Sequence, residues 1–212
     1  TTLIGSQAGR TLDTISREVL AAGTNVQYAE GQVTSRAALT PEMKLTVKAV
    51  KKAVRFLKKQ NAKKINGYYY GIVHPDCSYD LTEDARWIDA VKYKNPERIY
   101  NGEIGEIEGA RFVETTEAKI WAKAGAAKST SDTTKIDVYG TLIFGANAYA
   151  TTKIEGGGLK TIIKQLGSAG TGDPLDQRAT VGWKALKVTE ILTEAYMIRI
   201  ETASTFSDGE AN

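Results

Sequence analysis

The chain has 212 residues, of which 42% are hydrophobic and 25% charged, with a net charge of +3. That is enough sequence for one large domain or two small ones with a buried core, and the charge is too small to argue for a nucleic-acid binder. There is no apolar run near the roughly 20 residues a membrane helix needs and no secretory signal at the start. Cys77 is the single cysteine, so no intrachain disulfide forms, which fits a reducing compartment. Thr1, not Met, opens the chain, so a processed N-terminus or a fragment of a longer protein is expected.

Residues 6–22 are predicted helical from Leu12, Ile15 and Val19, with Gly23 as a stop. Residues 24–34, with Val26, Tyr28 and Val33, read as extended. A second helix is predicted from Thr40 as N-cap and Pro41 at the first position to about Lys59, with Asn61 near its end. Met43, Val47, Val50, Val54 and Leu57 would form its core stripe, leaving the lysines outward. The stripe should pack on a strand at 68–73, which is aromatic and β-branched.

A short helix is expected from Asp80 to Tyr93, carrying Trp87, Ile88 and Val91, before the break at Asn95-Pro96. Ile104–Val113 should hold two extended pieces around Gly109. Residues 122–134, rich in Ala, Lys, Ser and Thr, read as a mobile surface loop. A strand is expected at 136–144. The triplet Gly156-Gly157-Gly158 should turn into an extended segment, Leu159–Leu166, and Gly167–Asp173 forms a second Gly-rich loop. Late strands are expected at Thr180–Val188 and Tyr196–Thr202 with a turn or short helix between them, and a frayed polar end. No regular repeat is present. The order implies an α+β fold with a mixed or antiparallel sheet.

Several patterns invite a catalytic reading and fail it. His74 and Cys77 are the only His and the only Cys. Zinc needs three or four protein ligands, so the pair cannot complete a site alone, and a cysteine nucleophile needs a base within reach. A hydrogen-bonded strand-end turn at His74-Pro75-Asp76 is the simpler expectation. Glu155–Thr161 lacks the Gly-Lys junction and following helix of a phosphate loop. Gly167–Gly172 fails the dinucleotide spacing. Asp76 and Asp80 do not stand apart from surface acids. Trp87, Trp121 and Trp183 are expected as core or interface anchors. No catalytic, cofactor-binding or metal-binding residue is therefore assigned, and no cofactor is expected. Two charge clusters remain: nine Lys/Arg and no acid from Lys44 to Lys64, and three acids from Glu103 to Glu108. They are either solvated faces or opposite patches that meet between copies of the chain.

The ordered blocks Leu39-Thr40-Pro41-Glu42, Gly71-Ile72-Val73-His74-Pro75-Asp76, Tyr79-Asp80-Leu81 and Trp87-Ile88-Asp89-Ala90 resemble the major capsid proteins of tailed bacteriophages. The resemblance continues through Asn101–Gly105, Gly109–Thr115, Ile143-Phe144-Gly145, Ile162–Ser168, Asp173-Pro174-Leu175 and Gln177–Lys184, and the opening from Arg10 to Ala29 fits as well. It implies the Hong Kong 97-type capsid fold: a peripheral subdomain with a spine helix, and an axial subdomain with a mixed sheet flanked by helices. On that pattern residues 1–34 hold the end of the spine helix and a peripheral strand. Residues 35–150 are axial, and 151–212 return to the periphery and the tail.

The function implied is that of a coat protein whose pentamers and hexamers tile an icosahedral shell. It would enclose DNA without sequence-specific binding, in the virion and, during assembly, in the host cytoplasm. Its partners would be other copies of itself, with scaffolding, portal and decoration proteins as further candidates; no membrane is implied. An encapsulin-like compartment shell of the same fold is the alternative. The family pattern puts an N-terminal arm and an extended loop before the spine helix, and this sequence does not contain them. The 212 residues alone are thus expected to be a monomer or small oligomer. The Lys–Asn motif by which some relatives cross-link is not matched, so no such bond is expected.

Overall fold

The computed structural model describes residues 2–88, 105–152, 155–168, 172, 175 and 177–207. Helix α1 spans Thr2–Ala21 and is followed by strand β1, Val26–Tyr28. Helix α2 spans Val47–Lys59, β2 Tyr69–Val73 and α3 Pro75–Thr82. Strands β3 (Glu106–Ile107), β4 (Ala110–Glu114), β5 (Ile120–Trp121), β6 (Val138–Phe144) and β7 (Tyr149–Thr151) follow. Then come β8 (Lys160–Lys164), β9 (Thr180–Lys184), β10 (Thr189–Ile191) and β11 (Met197–Thr202).

A seven-stranded mixed sheet has the order β1-β11-β6-β2-β4-β3, with β5 beside the start of β6. The β1–β11 and β2–β4 pairs are parallel and the others antiparallel. Strands β7 and β10 form one separate pair, and β8 and β9 another. This is the expected α+β class with a mixed sheet.

The sheet is buried on both faces: alternate residues of β6 are largely apolar in both directions, while β11 turns Ile198 and Ile200 to one face and Met197, Arg199 and Glu201 to the other. On one face Tyr69, Val73, Ile143, Ile198 and Ile200 pack with Val47, Val50, Val54 and Leu57 of α2. On the other, Leu142, Phe144 and Met197 pack with Leu20 of α1. The α2 stripe is therefore as expected from Val47 onward. Its start is not. Thr46 is the N-cap, its Oγ1 accepting from the Ala49 N–H at 3.2 Å, and the Asp84 carboxylate accepts from the Val47 N–H at 2.9 Å. Thr40–Met43 closes as a turn. Tertiary pairing overrides the Thr-Pro signal: Lys44 bridges Ala203, and Met43 C=O accepts from the Ala203 N–H at 3.0 Å. Met43 is part-buried under another cluster, with Ala29, Leu39 and Val138. The helix ends where expected. Asn61 takes φ +56°, and Asn61 and Ala62 donate back to Lys58 and Leu57 in a Schellman closure.

In α1 the packed face is rotated from the expected one. Ile15 is exposed, whereas Ala8, Arg17 and Leu20 are buried. Arg17 is held by Glu18, by Glu117 and by the Glu117 carbonyl, so a polar residue occupies a face that hydrophobic spacing alone assigns elsewhere. The helix ends at Ala21, beside the expected stop.

The helix expected from Asp80 to Tyr93 starts earlier, at Pro75, and ends at Thr82; residues 85–88 are helical again. Trp87 is core and Ile88 packs against it, while Val91 and Asn95-Pro96 lie outside the described residues. The two pieces around Gly109 are β3 and β4, turned at Glu108 (φ +53°) and Gly109 (φ +83°), both left-handed as a two-residue hairpin requires. Of the loop expected at 122–134, residues 127–134 are exposed, but the stretch before them is pinned. Ala126 donates to Leu39 C=O at 2.9 Å, and Gly125 is buried against Ile136. Of the expected frayed end, residues 203–207 are held in place by Met43, by Asp80 of α3 and by Asp137, and 208–212 lie outside the described residues.

Candidate functional site

A cluster of reactive side-chain types lies where β2 turns into α3. Pro75 sits at the first helical position, its fixed φ suited to a helix start. His74 is the N-cap, its Nδ1 accepting from the Asp76 N–H at 3.3 Å and lying 3.3 Å from the Asp76 carboxylate. The expected turn is thus a helix start. His74 also lies against the Tyr139 ring at a 5.2 Å centroid distance. One turn of α3 separates Asp76 from Asp80, which puts both carboxylates on one face.

That face binds the end of the chain. Asp76 accepts the one proton of Tyr139 Oη at 2.8 Å, with Phe206 C=O 3.2 Å from the same hydroxyl. Asp80 accepts from Ser204 Oγ at 2.8 Å, from the Thr205 N–H at 3.0 Å and from Thr205 Oγ1. Asp137 accepts from Ser207 Oγ at 2.9 Å. The Asp80 and Asp137 carboxylates are spent on hydrogen bonds that order residues 204–207, and that of Asp76 on Tyr139.

Cys77 points the other way, into the core. It is fully buried, 3.8 Å from Thr202 Oγ1. Burial pushes its thiol well above the usual range, the opposite of what a nucleophile needs. Burial likewise raises the Tyr139 phenol, reinforced by its bond to Asp76. His74 and Cys77 are neighbours in sequence but face different environments. Among the described residues no group of three His, Cys, Asp or Glu side chains is placed to hold a metal ion.

The first glycine loop is a turn. Gly156 takes φ +72° and β8 follows, not a helix, so no helix N-terminus offers N–H groups to phosphate there. Gly167 takes φ +80° above a Ser168–Gln165 turn; part of Gly167–Asp173 lies outside the described residues.

The charge clusters meet inside the chain at one pair, and another lysine of the basic run pairs with Glu30. Lys51 Nζ lies 2.9 Å from Glu108 and Lys48 Nζ lies 2.6 Å from Glu30, so these charges are partly satisfied without a neighbour. Glu103 lies outside the described residues.

Sequence reasoning missed a buried ion cluster on the α1 side of the sheet. Glu201 is fully buried on β11 and takes a bidentate bond from Arg36, both contacts 2.7 Å. It takes a further bond from Arg199 at 2.8 Å. The bond to Glu201 pushes the Arg36 guanidinium further up. Arg36 stacks 3.8 Å above the Trp121 ring. Arg199 donates to the carbonyls of Ala21 and Gly23, capping the end of α1 with a cation. Gly140 makes room for the ring: a Cβ there would lie 2.9 Å from Trp121. The alternation Arg199-Ile200-Glu201 in a strand was the available signal.

A different surface stands out by exposure. Every residue of β8 is exposed and only Trp183 of β9 is half-buried. Leu3 and Ile15 of α1, together with Leu186, Val188 and Leu192, add further exposed apolar side chains. Of the three tryptophans, Trp87 is core, Trp121 sits under Arg36, and Trp183 lies on this hairpin.

Comparison with known proteins follows the same line. A family model described as phage capsid protein matches residues 3–166. No curated protein matches the sequence. Among solved structures, the capsid of cyanophage P-SCSP1u aligns over 96% of this chain and 65% of its own, with a TM-score of 0.65 at 15% identity. Mycobacterium phage Che8 aligns over 92% and 60%, with 0.62 at 13%. The capsid of Ralstonia phage GP4 aligns over 88% and 54%, with 0.60 at 14%. The chain spans between about half and two thirds of the length of these proteins. Likeness at such identities is a likeness of fold, and the fold is the Hong Kong 97-type capsid fold.

Proposed function

The chain belongs to the phage capsid protein family, and on that footing we propose that it is a structural shell subunit and not an enzyme. Copies of it would assemble as pentamers and hexamers into an icosahedral shell around a DNA genome, held without sequence-specific contacts. The observation that carries this reading is the family match over residues 3–166, on a chain with the capsid fold. The geometry at His74 and Cys77 agrees with it, since the thiol is buried and the carboxylates hold the chain end. An encapsulin-like shell is not favoured, because the family matched is that of phage capsids.

In this reading α1 is the end of the spine helix. Residues 35–150 form the axial subdomain, and 1–34 with 151–212 the periphery. Strands β1 and β11 join the two, since both are hydrogen-bonded into the main sheet. The protein would reside in the virion, and in the host cytoplasm while shells form. Scaffolding, portal and decoration proteins are its further partners.

Electron microscopy of the full-length expressed protein tests the reading. Closed icosahedral particles built from capsomers are expected of it. Uniformly monomeric protein under all assembly conditions would contradict it, and a cargo-enzyme gene beside its own, with no portal or terminase gene, would favour the compartment shell.

A further inference from the structure

Just ahead of β2 the chain reverses in a two-residue turn. The Ile65 N–H donates to Tyr68 C=O at 2.8 Å, and the Tyr68 N–H donates back to Ile65 C=O at 3.0 Å. Between them Asn66 (φ +50°) and Gly67 (φ +87°) are both left-handed, as a tight Asn-Gly turn requires. Both are exposed, and nothing lies within 4 Å of where a Gly67 Cβ would stand. Among the described residues the Asn66 carboxamide and the Gly67 N–H make no hydrogen bond.

The carboxamide carbon of an asparagine can be reached by the backbone nitrogen of the next residue, because closure makes a five-membered ring within one chain. A side chain on that next residue hinders the approach, and so does a hydrogen bond that holds its N–H. The described asparagines differ in these respects. Asn61 (φ +56°) and Asn147 (φ +61°) are left-handed too, but each precedes a buried alanine. The Ala62 N–H is also committed to Leu57 C=O at 3.0 Å. Asn25 precedes Val26, and its carboxamide donates to the carbonyls of Glu194 and Met197. Among the described asparagines Asn66 alone combines a free carboxamide, a free following N–H and no following side chain.

The charges around the turn act in the same direction. Lys63 and Lys64 precede it and are exposed. Arg111 lies 5.2 Å from the Tyr68 ring centroid, and the neighbouring Glu108 is engaged by Lys51 at 2.9 Å. A positive neighbourhood favours an anionic amide nitrogen and the carboxylate that replaces the carboxamide. Brief opening of so small and unpacked a turn costs little, and it brings the Gly67 nitrogen toward Asn66 Cγ.

We propose that Asn66 is a modification site, deamidating spontaneously through a succinimide formed with Gly67. Hydroxide takes the Gly67 amide proton, and the nitrogen lone pair forms a bond to Asn66 Cγ. The Cγ–Nδ2 bond breaks, and the departing nitrogen takes a proton from water and leaves as ammonia. Water then adds to one of the two imide carbonyls. Cleavage of the new Cγ–N bond gives aspartate, and cleavage of the original peptide bond gives isoaspartate. Nothing is oxidised or reduced; one water is consumed and one ammonia released. Either product places a carboxylate beside a basic run that holds no acid from Lys44 to Lys64. Isoaspartate also lengthens the backbone by one carbon, so the Ile65–Tyr68 pairing is lost. The chemistry is the same whatever the chain assembles into.

Peptide mapping by mass spectrometry of the folded 212-residue chain, held for days at mildly alkaline pH, tests this. The tryptic peptide carrying Asn66 should gain about one mass unit, and part of it should accept a methyl group from an isoaspartate methyltransferase. Its rate should rise about tenfold per pH unit, since the attacking nitrogen must be deprotonated. Asn61 and Asn147 should stay intact, and Asn101-Gly102 falls in a separate tryptic peptide. Asn66→Gly keeps a residue that accepts φ +50°. It should fold and melt as the wild type does and show no gain in that peptide. Asn66 left unmodified in the folded chain, while a synthetic peptide of residues 64–68 converts alongside it, would overturn the proposal. Equal rates at Asn61 or Asn147 and at Asn66 would overturn it as well, because the free Gly67 N–H would then not be what selects the site.

Discussion

The seven-stranded sheet and the β8–β9 hairpin are built from similar residues and have opposite fates. Both are rich in β-branched and aromatic side chains. In β6 all seven residues are buried, with helices on both faces. In β8 all five are exposed. The difference is not propensity but what the rest of the chain places over each strand. A strand's composition says that it wants a covered face; only the surrounding chain, or another copy, says where the cover comes from.

The sharpest way to break this contrast is to attack the buried ion cluster. Glu201→Ala leaves Arg199 buried without its carboxylate and should cost about 3–5 kcal/mol. Chemical denaturation would measure it, and a loss under 1 kcal/mol would show that the cluster is not the joint between α1 and the sheet. Leu57→Ala, on the other face, removes a fully buried side chain and should cost about 2–5 kcal/mol. The same denaturation series would show whether the α2 face is packed as tightly as described.

A milder change sharpens the account of α3. Tyr139→Phe loses the bond to Asp76 and should cost about 1–2 kcal/mol near neutral pH. The Tyr139 phenol and Cys77 thiol are both raised above their ordinary values of 10.0 and 9.0. The unfolded groups ionise first, so stability from these two is present below about pH 9 and is lost as pH rises beyond it. Tyr139→Phe should flatten that alkaline loss, which pH-dependent melting would read; an unchanged slope would contradict the assignment. The smallest effect belongs to the hairpin. Ile163→Ala should change the stability of the isolated chain by less than about 0.5 kcal/mol. A larger loss by thermal melting would mean that the hairpin is packed against its own subunit.

The fold class and the strands at 69–73 and 138–144 were legible because burial on both faces leaves a dense apolar run. The α2 stripe was legible from Val47 on because helical spacing matches the core contacts. The start of α2 was not, since the pull on 43–45 comes from Ala203, far along the chain. The same limit applies to α1, whose buried face is set by Arg17 and its partners. Strand β7 was missed because three residues paired to β10 make no pattern of their own. At the His74 end, the single His and Cys were found at once, and the reading that discounted them needed only ligand counting. Their true surroundings, a helix cap and a buried thiol, follow from contacts with Tyr139 and Thr202 that no local spacing announces. The family was legible in ordered blocks, several of which fall on the turns and strand ends of the sheet.

Hydrogen exchange compared between dissociated subunits and assembled particles tests the central contrast most directly. Amides of 69–73 and 138–144 should be protected equally in both states, because their cover comes from the same chain. Amides of 160–164 and 180–184 should exchange fast in the free subunit and slow strongly on assembly. Equal exchange of the hairpin in both states, or protection gained in the central strands instead, would contradict the account.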